Sequence, residues 1–544
     1  MVLDGEAFDF IVVGGGTGGC VLAARLSEDR VTRVLLLEAG PEDKSPWIHV
    51  PAAVGKAMFE PEIGWGYWTV PQPHMNDRKI PVPRGRVLGG SGSMNGMVYN
   101  RGQPKDYDDW AAAGNTGWSY AEVLPYFTRS EHNENFEASI FHGRGGPMNV
   151  KSPPILNPMT GPFQEAMAAL QFRRNDDFNT AAGGEGFGPR QGCIKDGRRV
   201  SQATAFLRPA LGRSNLTLET DAPVARVLIE NGRATGVQLI DGRRLMARRE
   251  VVIAGGAVAS PQILLLSGVG DAKALQALGI EVKADRPSVG ADFHDHLATS
   301  VQNDTDDISS YGISPKALPR GVWNILEYVL ARKGPLAGNV FETNAFVRTL
   351  PELDRPDIQL VFQPAKRNKT TFPIPIRHGY GLSTVLLYPK SRGSIRLASA
   401  DPREVPLIDP NLLGDERDFG PLLRGIRLSR RIFEQPVFDK YRGVEIQPGP
   451  AAQSDDDLKA YIRNTAGTVH HPCGSCRMGA DKDSVVDPQL RVRGVEGLRV
   501  ADASIFPTLV GGNTNAVVVM VAEKAADMIL GKPALKAADL SEAA

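Results

Sequence analysis

Two stretches of this 544-residue chain carry side chains at spacings that can do chemistry. In the first, GGGTGG, residues Gly14, Gly16, Thr17 and Gly19 follow the apolar run FDFIVV (residues 8–13) and precede the helical pattern CVLAARLSE. The glycines satisfy G-x-G-x-x-G. The first permits a tight turn, the second lets a pyrophosphate reach the backbone, and the third lets helix close on strand. The helix N-terminus then offers phosphates unpaired N–H groups and a partial positive charge. A second strand over residues 34–37 ends at Glu38, at the offset suited to ribose hydroxyls; an acid there disfavours NADP and suits both NAD and FAD. In the second stretch, HHPCGSC, His470 and His471 stand beside a C-x-x-C formed by Cys473 and Cys476. A neutral imidazole accepts a proton near pH 7, and C-x-x-C alone suggests zinc or a redox dithiol. A structural zinc needs four ligands and no second C-x-x-C exists, so no metal is expected.

The elements that hold such groups belong to a large α/β chain. At roughly 150 residues per domain, the length exceeds one hydrophobic core. The 62 basic side chains balance the 62 acidic ones, which removes the electrostatic footprint that nucleic acid requires and leaves a small diffusible substrate. Hydrophobic residues at 42% exclude wholesale disorder. Four cysteines and no apolar leader before the first strand set cytoplasm as the expected compartment. The apolar runs fall short of the ~20 residues of a bilayer span, so any membrane contact is expected to be peripheral. Nothing in the sequence specifies an oligomeric state.

Two longer strings, GRVLGGSGSMNGMVYNRGQPKDYD (85–108) and GAVASPQILLLSGVG (256–270), resemble the paired signatures of the glucose-methanol-choline oxidoreductase family, FAD-dependent enzymes that oxidise alcohols. PSVGADFHDH, PKSRGSIRL, LIDPNLL, HHPCGSCRMG and LRVADASIFP extend the likeness over nearly the whole chain, toward bacterial choline, sorbose and aliphatic alcohol dehydrogenases. The resemblance implies a Rossmann-like FAD-binding domain with an inserted α+β substrate domain built on an antiparallel sheet. The FAD domain is expected to be discontinuous, over residues 1–160, 190–300 and 465–532. Residues 161–189 and 301–464 would cover the substrate, and the Ala/Glu-rich tail 533–544 would be frayed.

Residue by residue, the resemblance puts Gly89, Gly90, Ser91 and Asn95 against the flavin, Val224 at the adenine and Asp502 near the ribityl chain and pyrophosphate. Thr514 and Asn515 open a last helix whose N-terminus would face the flavin pyrimidine edge. Met94 stands where some members carry a histidine bonded to the flavin; a thioether cannot form that bond, so non-covalent FAD is expected. His471 matches the family's general base. Asn513 matches a His-or-Asn position that hydrogen-bonds the substrate oxygen, with Asn515 the nearby alternative. Glu342 is a candidate contact for a cationic substrate or, equally, a structural acid. The implied reaction oxidises a primary alcohol, a sugar such as sorbose, or choline to the aldehyde or ketone, with hydride passing to flavin N5 and electrons to a quinone-like acceptor. An oxygen-using oxidase and a flavin-containing hydroxynitrile-type lyase are the alternatives.

Overall fold

Strands β1 (Ala7–Val13) and β2 (Val34–Leu37) are rich in Val, Leu and Ile, and both are largely buried. A strand buried on both faces is the signature of a parallel sheet covered by helices. In the computed structural model, which describes residues 2–152, 154, 156–180, 183–366 and 377–543, these strands pair in parallel, Val13 opposite Leu37. Continuing in chain order, β3 (Leu216–Glu219), β4 (Val224–Glu230), β5 (Arg233–Leu239) and β6 (Arg244–Ile253) complete most of the sheet, in the order β3-β2-β1-β6-β5-β4. Strand β6 pairs antiparallel with β5 through its first half and parallel with β1 through its second, and Leu498–Val500 adds a parallel strand beside it. The parallel strands therefore share one carboxyl edge, where Gly14, Glu38 and Ala254 follow directly and Asp502 two residues on.

The helices that concern the site are α1 (Thr17–Leu26), α2 (Gly256–Leu266), α3 (Leu318–Ala331), α4 (Phe419–Phe433) and α5 (Asn515–Leu530). Helices α1 and α5 pack on one another, and both are almost wholly buried.

The second sheet is antiparallel. Strands β7 (Leu297–Asp304), β8 (Thr343–Val347), β9 (Ile358–Gln363) and β10 (Gly379–Leu386) are ordered β7-β10-β9-β8, with Gly186–Pro189 beyond β8 and the short strands Glu445–Gln447 and Gly467–Thr468 on β7. Period-two alternation divides its faces. On β9, Ile358, Leu360 and Phe362 enter the core under α4, whereas Gln359, Val361 and Gln363 face a cavity. Alternating runs in the sequence over residues 357–363 and 383–388 predict antiparallel strands, and these are observed, with the second starting earlier, at Gly379.

The tail departs from expectation. The Leu535 N–H donates to the Tyr126 hydroxyl and the Ala538 N–H to Ala121 O, and Leu535, Ala538 and Leu540 pack on the core. Residues 535–540 are therefore docked rather than frayed, because their few apolar side chains find a groove that composition alone does not reveal.

Candidate active site

A cavity of about 1530 Å³ runs from the carboxyl edge of the parallel sheet to the polar face of the antiparallel one. Its nucleotide end is built from backbone. Gly14 has φ +103°, and a Cβ there would lie 2.7 Å from Ala254 O. A Cβ on Gly19 would collide with Gly14 O, so α1 sits directly on the turn, the close packing the third glycine provides. Gly90, at φ +55°, would put a Cβ 2.8 Å from Gly16 Cα, so the two glycine loops meet backbone to backbone. At Gly16 a Cβ would make only ordinary contacts, 3.8 Å from Gly90 Cα and 3.9 Å from Ala254 O. Neither α1 nor α5 has a side-chain cap, and Gly16, Thr17, Thr514 and Asn515 at their starts all line the cavity. This cradle fits a dinucleotide pyrophosphate.

Glu38 lines the cavity at the end of β2, but both its oxygens already serve the backbone: Oε2 accepts from the Gly15 N–H at 2.8 Å and Oε1 from the Gly40 N–H at 2.9 Å. Burial, only partly offset by those hydrogen bonds, pushes its carboxyl up to about 7. Val224 lines the cavity at the start of β4. Asp502 lines it too, while accepting from the Gly256 and Ser504 N–H groups and the Ser260 hydroxyl, which ties α2 to the last parallel strand. Ser91, Met94 and Asn95 line the cavity, with the Met94 side chain buried; Gly89 lies just behind, at φ +86°.

The other end of the cavity centres on His471. His470 adopts the left-handed conformation, φ 70°, and the turn it makes lets the His471 N–H donate to Asp295 Oδ1 at 2.7 Å. The ring of His471 reaches Asn513 Nδ2 through Nε2 at 3.0 Å and His296 Nδ1 through its own Nδ1 at 2.9 Å. His296 Nε2 lies 3.0 Å from Leu387 O. A carbonyl can only accept, so His296 carries its proton on Nε2 and presents a lone pair at Nδ1. His471 must then donate from Nδ1, which leaves its Nε2 as a lone pair in the cavity. Burial foremost, then the neighbouring His296, His470, Arg84 and Arg190, holds the His471 imidazole well below its usual range; burial likewise lowers His296 to about 4. Asn513 donates from Nδ2, and its Oδ1 is buried with no partner.

Asn515 is committed elsewhere. Its Oδ1 accepts from Gln202 Nε2 at 2.8 Å, its Nδ2 donates to Thr17 Oγ1 at 3.0 Å, and that hydroxyl donates to Gln202 Oε1 at 3.2 Å. Gln202 and His296 were missed as site residues by sequence reasoning, although His296 ends the quoted string PSVGADFHDH. Glu342 proves to be a structural acid. Its carboxylate accepts from the Leu156 and Asn157 N–H groups and from the Thr160 and Tyr311 hydroxyls, and it does not line the cavity. Cys473 and Cys476 are buried free thiols, the former 3.5 Å from His294 Nε2; among the described residues no group of three or more His, Cys, Asp or Glu side chains is arranged to hold a metal ion.

Family models described as GMC oxidoreductase match residues 8–298 and 389–522. The chain belongs to the GMC oxidoreductase family. Similar members include an alcohol dehydrogenase [acceptor] of Pseudomonas putida, 42% identical over 98% of both chains, and an oxygen-dependent choline dehydrogenase of Rhizobium etli, 44% identical over 97% of this chain and 96% of the other. Among solved structures, a pyridoxine 4-oxidase from Mesorbium loti superposes with TM-score 0.88 at 32% identity over 97% of this chain and 100% of the other. A formate oxidase gives 0.89 at 25% identity over 97% and 99%. As a GMC oxidoreductase, the protein binds FAD and oxidises an alcohol-type substrate to an aldehyde or ketone. No helix of the described residues is long and apolar enough to cross a membrane.

Proposed function

We propose that this GMC oxidoreductase is an alcohol oxidase: His471 takes the hydroxyl proton, Asn513 holds the hydroxyl oxygen, and molecular oxygen removes the electrons. The observation that carries the reading is the His471 Nε2 lone pair, held 3.0 Å from the Asn513 amide in the cavity that the glycine cradle opens into. Bound FAD supplies the hydride acceptor. The residues of this chain do the rest. Nε2 accepts the proton as the carbinol C–H bond weakens, and the Asn513 amide N–H steadies the negative charge developing on oxygen. The His471 Nδ1–H stays hydrogen-bonded to His296 Nδ1, so the imidazolium that forms is held in place from that side.

Oxygen replaces the quinone-like acceptor that the resemblance suggested. What supports it is that similar proteins are named as oxygen-dependent choline dehydrogenases or as oxidases, of pyridoxine and of formate. On this reading residues 1–160, 190–300 and 465–532 hold FAD, residues 161–189 and 301–464 cover the substrate, and Met94 leaves the FAD non-covalent. The test is anaerobic mixing of the purified enzyme with a panel of alcohols, followed by air. Loss of flavin absorbance near about 450 nm, then rapid recovery with stoichiometric peroxide, is expected. Bleaching that recovers only with a quinone would return the acceptor to the carrier, and cleavage of a hydroxynitrile without bleaching would replace the oxidase by the lyase.

A further inference from the structure

Arg190 follows the strand Gly186–Pro189, and its side chain is 5% exposed. The guanidinium stacks over Phe341 at 5.6 Å from the ring centroid, its Nε is buried with no partner, and no described residue forms an ion pair or hydrogen bond with it. Arg190 and Phe341 line the same cavity as His471, and the arginine's charge is felt at that imidazole. A guanidinium withdrawn from water without an anion is strongly unfavourable. The carboxylates lining the cavity do not serve it. Glu38 and Asp502 are bound to backbone at the nucleotide end, and Glu404 sits exposed where its carbonyl receives Gln262 of α2. The other cations near the reactive end are accounted for: Arg84 donates to Pro83 O and His470 O, and Lys366 pairs with Asp304.

We propose that Arg190 is a recognition site for an anionic group on the substrate, so that the alcohol oxidised is a hydroxy acid rather than a cation such as choline. This rests on the alcohol-oxidation reading above. The planar fork of arginine matches a carboxylate with two parallel hydrogen bonds, and Phe341 fixes its plane. Flavin bleaching by the FAD-loaded enzyme is compared across ω-hydroxy acids, the matching diols and choline, for the native protein and for Arg190→Gln and Arg190→Lys. Hydroxy acids should react best. Arg190→Gln should lower their second-order rate by about 10²-fold while affecting the diols far less, with Arg190→Lys in between. A separate readout needs no turnover: butanoate should perturb the flavin spectrum of the native enzyme and not that of Arg190→Gln, at equal flavin content. Diols or choline reacting as well as hydroxy acids, or butanoate binding unaffected by the substitution, overturns the proposal. If no alcohol bleaches the flavin but butanoate still binds through Arg190, the oxidase reading fails and the anion site stands.

Helix α3 supplies an independent observation: its amphipathicity is reversed. Arg320 and Tyr328 face the protein, donating to Ser310 O and Gly197 O, whereas Leu318, Val322, Trp323, Leu326, Val329 and Leu330 are 47–82% exposed. A surface helix ordinarily turns that stripe inward. Exposed Lys316, Arg332 and Lys333 flank the helix, and Lys195 and Arg198 are exposed on the adjoining Gly197 turn, with Asp196 and Asp306 the exposed acids. We infer that this face docks on an anionic lipid bilayer, which brings Arg320 and Asn324, residues of the same helix that line the cavity, near the membrane surface. A second copy of the chain would bring these same cations against themselves, which disfavours a symmetric pair. The FAD-loaded enzyme should float with vesicles of phosphatidylcholine plus phosphatidylglycerol, weakly with phosphatidylcholine alone, and less at high salt. Joint Trp323→Ser and Leu330→Ser substitution should lower the bound fraction about tenfold at unchanged flavin content. Absence of vesicle binding, equal binding to neutral vesicles, or a concentration-dependent dimer abolished by the same substitutions overturns the inference.

Discussion

The Nδ1 atoms of His296 and His471 face each other at 2.9 Å, with ring planes at 86°. Two N–H groups cannot share that line, so one ring must accept, and the Leu387 carbonyl decides that it is His296. His296 thus fixes the tautomer of His471, which makes it a positioning residue for the proposed base. His296→Phe should slow flavin reduction about 10–10²-fold with FAD retained, and His296→Gln, whose amide oxygen can accept from Nδ1–H, should recover part of the loss. A rate unchanged in both variants would show that the contact is only packing.

The same burial gives a pH signature. His471 is held well below its ordinary value, and Asp295, whose carboxyl burial raises to about 7, accepts its backbone N–H, while Arg84, Arg190, His296 and His470 face it. The base should stay free as pH falls from about 8 to about 6, with the reduction rate declining only well below the ordinary histidine value of about 6.5. In the unfolded chain that histidine takes up a proton near pH 6.5, whereas the folded site refuses it. Its contribution to stability is therefore lost as pH falls below that point. Stopped-flow reduction and thermal melts across pH 5–8 check both signs.

Gly90→Ala should abolish FAD retention. The new methyl would lie 2.8 Å from Gly16 Cα, in a backbone at φ +55° that costs a non-glycine residue about 1–2 kcal/mol before any clash is counted. Flavin content per purified protein is the measurement; a fully yellow variant would mean that the two glycine loops can part without losing the cofactor.

With a buried methionine at position 94, acid precipitation should leave all the flavin in the supernatant. Colour retained in the pellet would locate a covalent bond elsewhere.

Where sequence reasoning succeeded, it read local chemistry. The glycine turn after β1, Glu38 at the end of β2 and the antiparallel strands each announce themselves within a few residues. His471 and Asn513 needed family likeness to be singled out from nine histidines and many polar residues, and the fold then brought them together across 42 positions. What escaped depends on long-range meetings. Gln202 reaches Asn515 over 313 residues and His296 reaches His471 over 175. Glu342 illustrates the converse. An acid in an apolar string is compatible with a pocket or a cap, and only the four donors gathered around it decide. The exposed face of α3 was invisible for a different reason: periodicity reveals an apolar stripe but not the direction in which it points.

The parallel sheet receives Leu498–Val500 nearly five hundred residues after β1, and α5 follows that strand to tie its own first turn to α1. A growing polypeptide on the ribosome therefore owns half a cofactor berth until α5 has been made, and loading must await that helix. Products cut short before residue 515 should emerge colourless, however well their first domain folds.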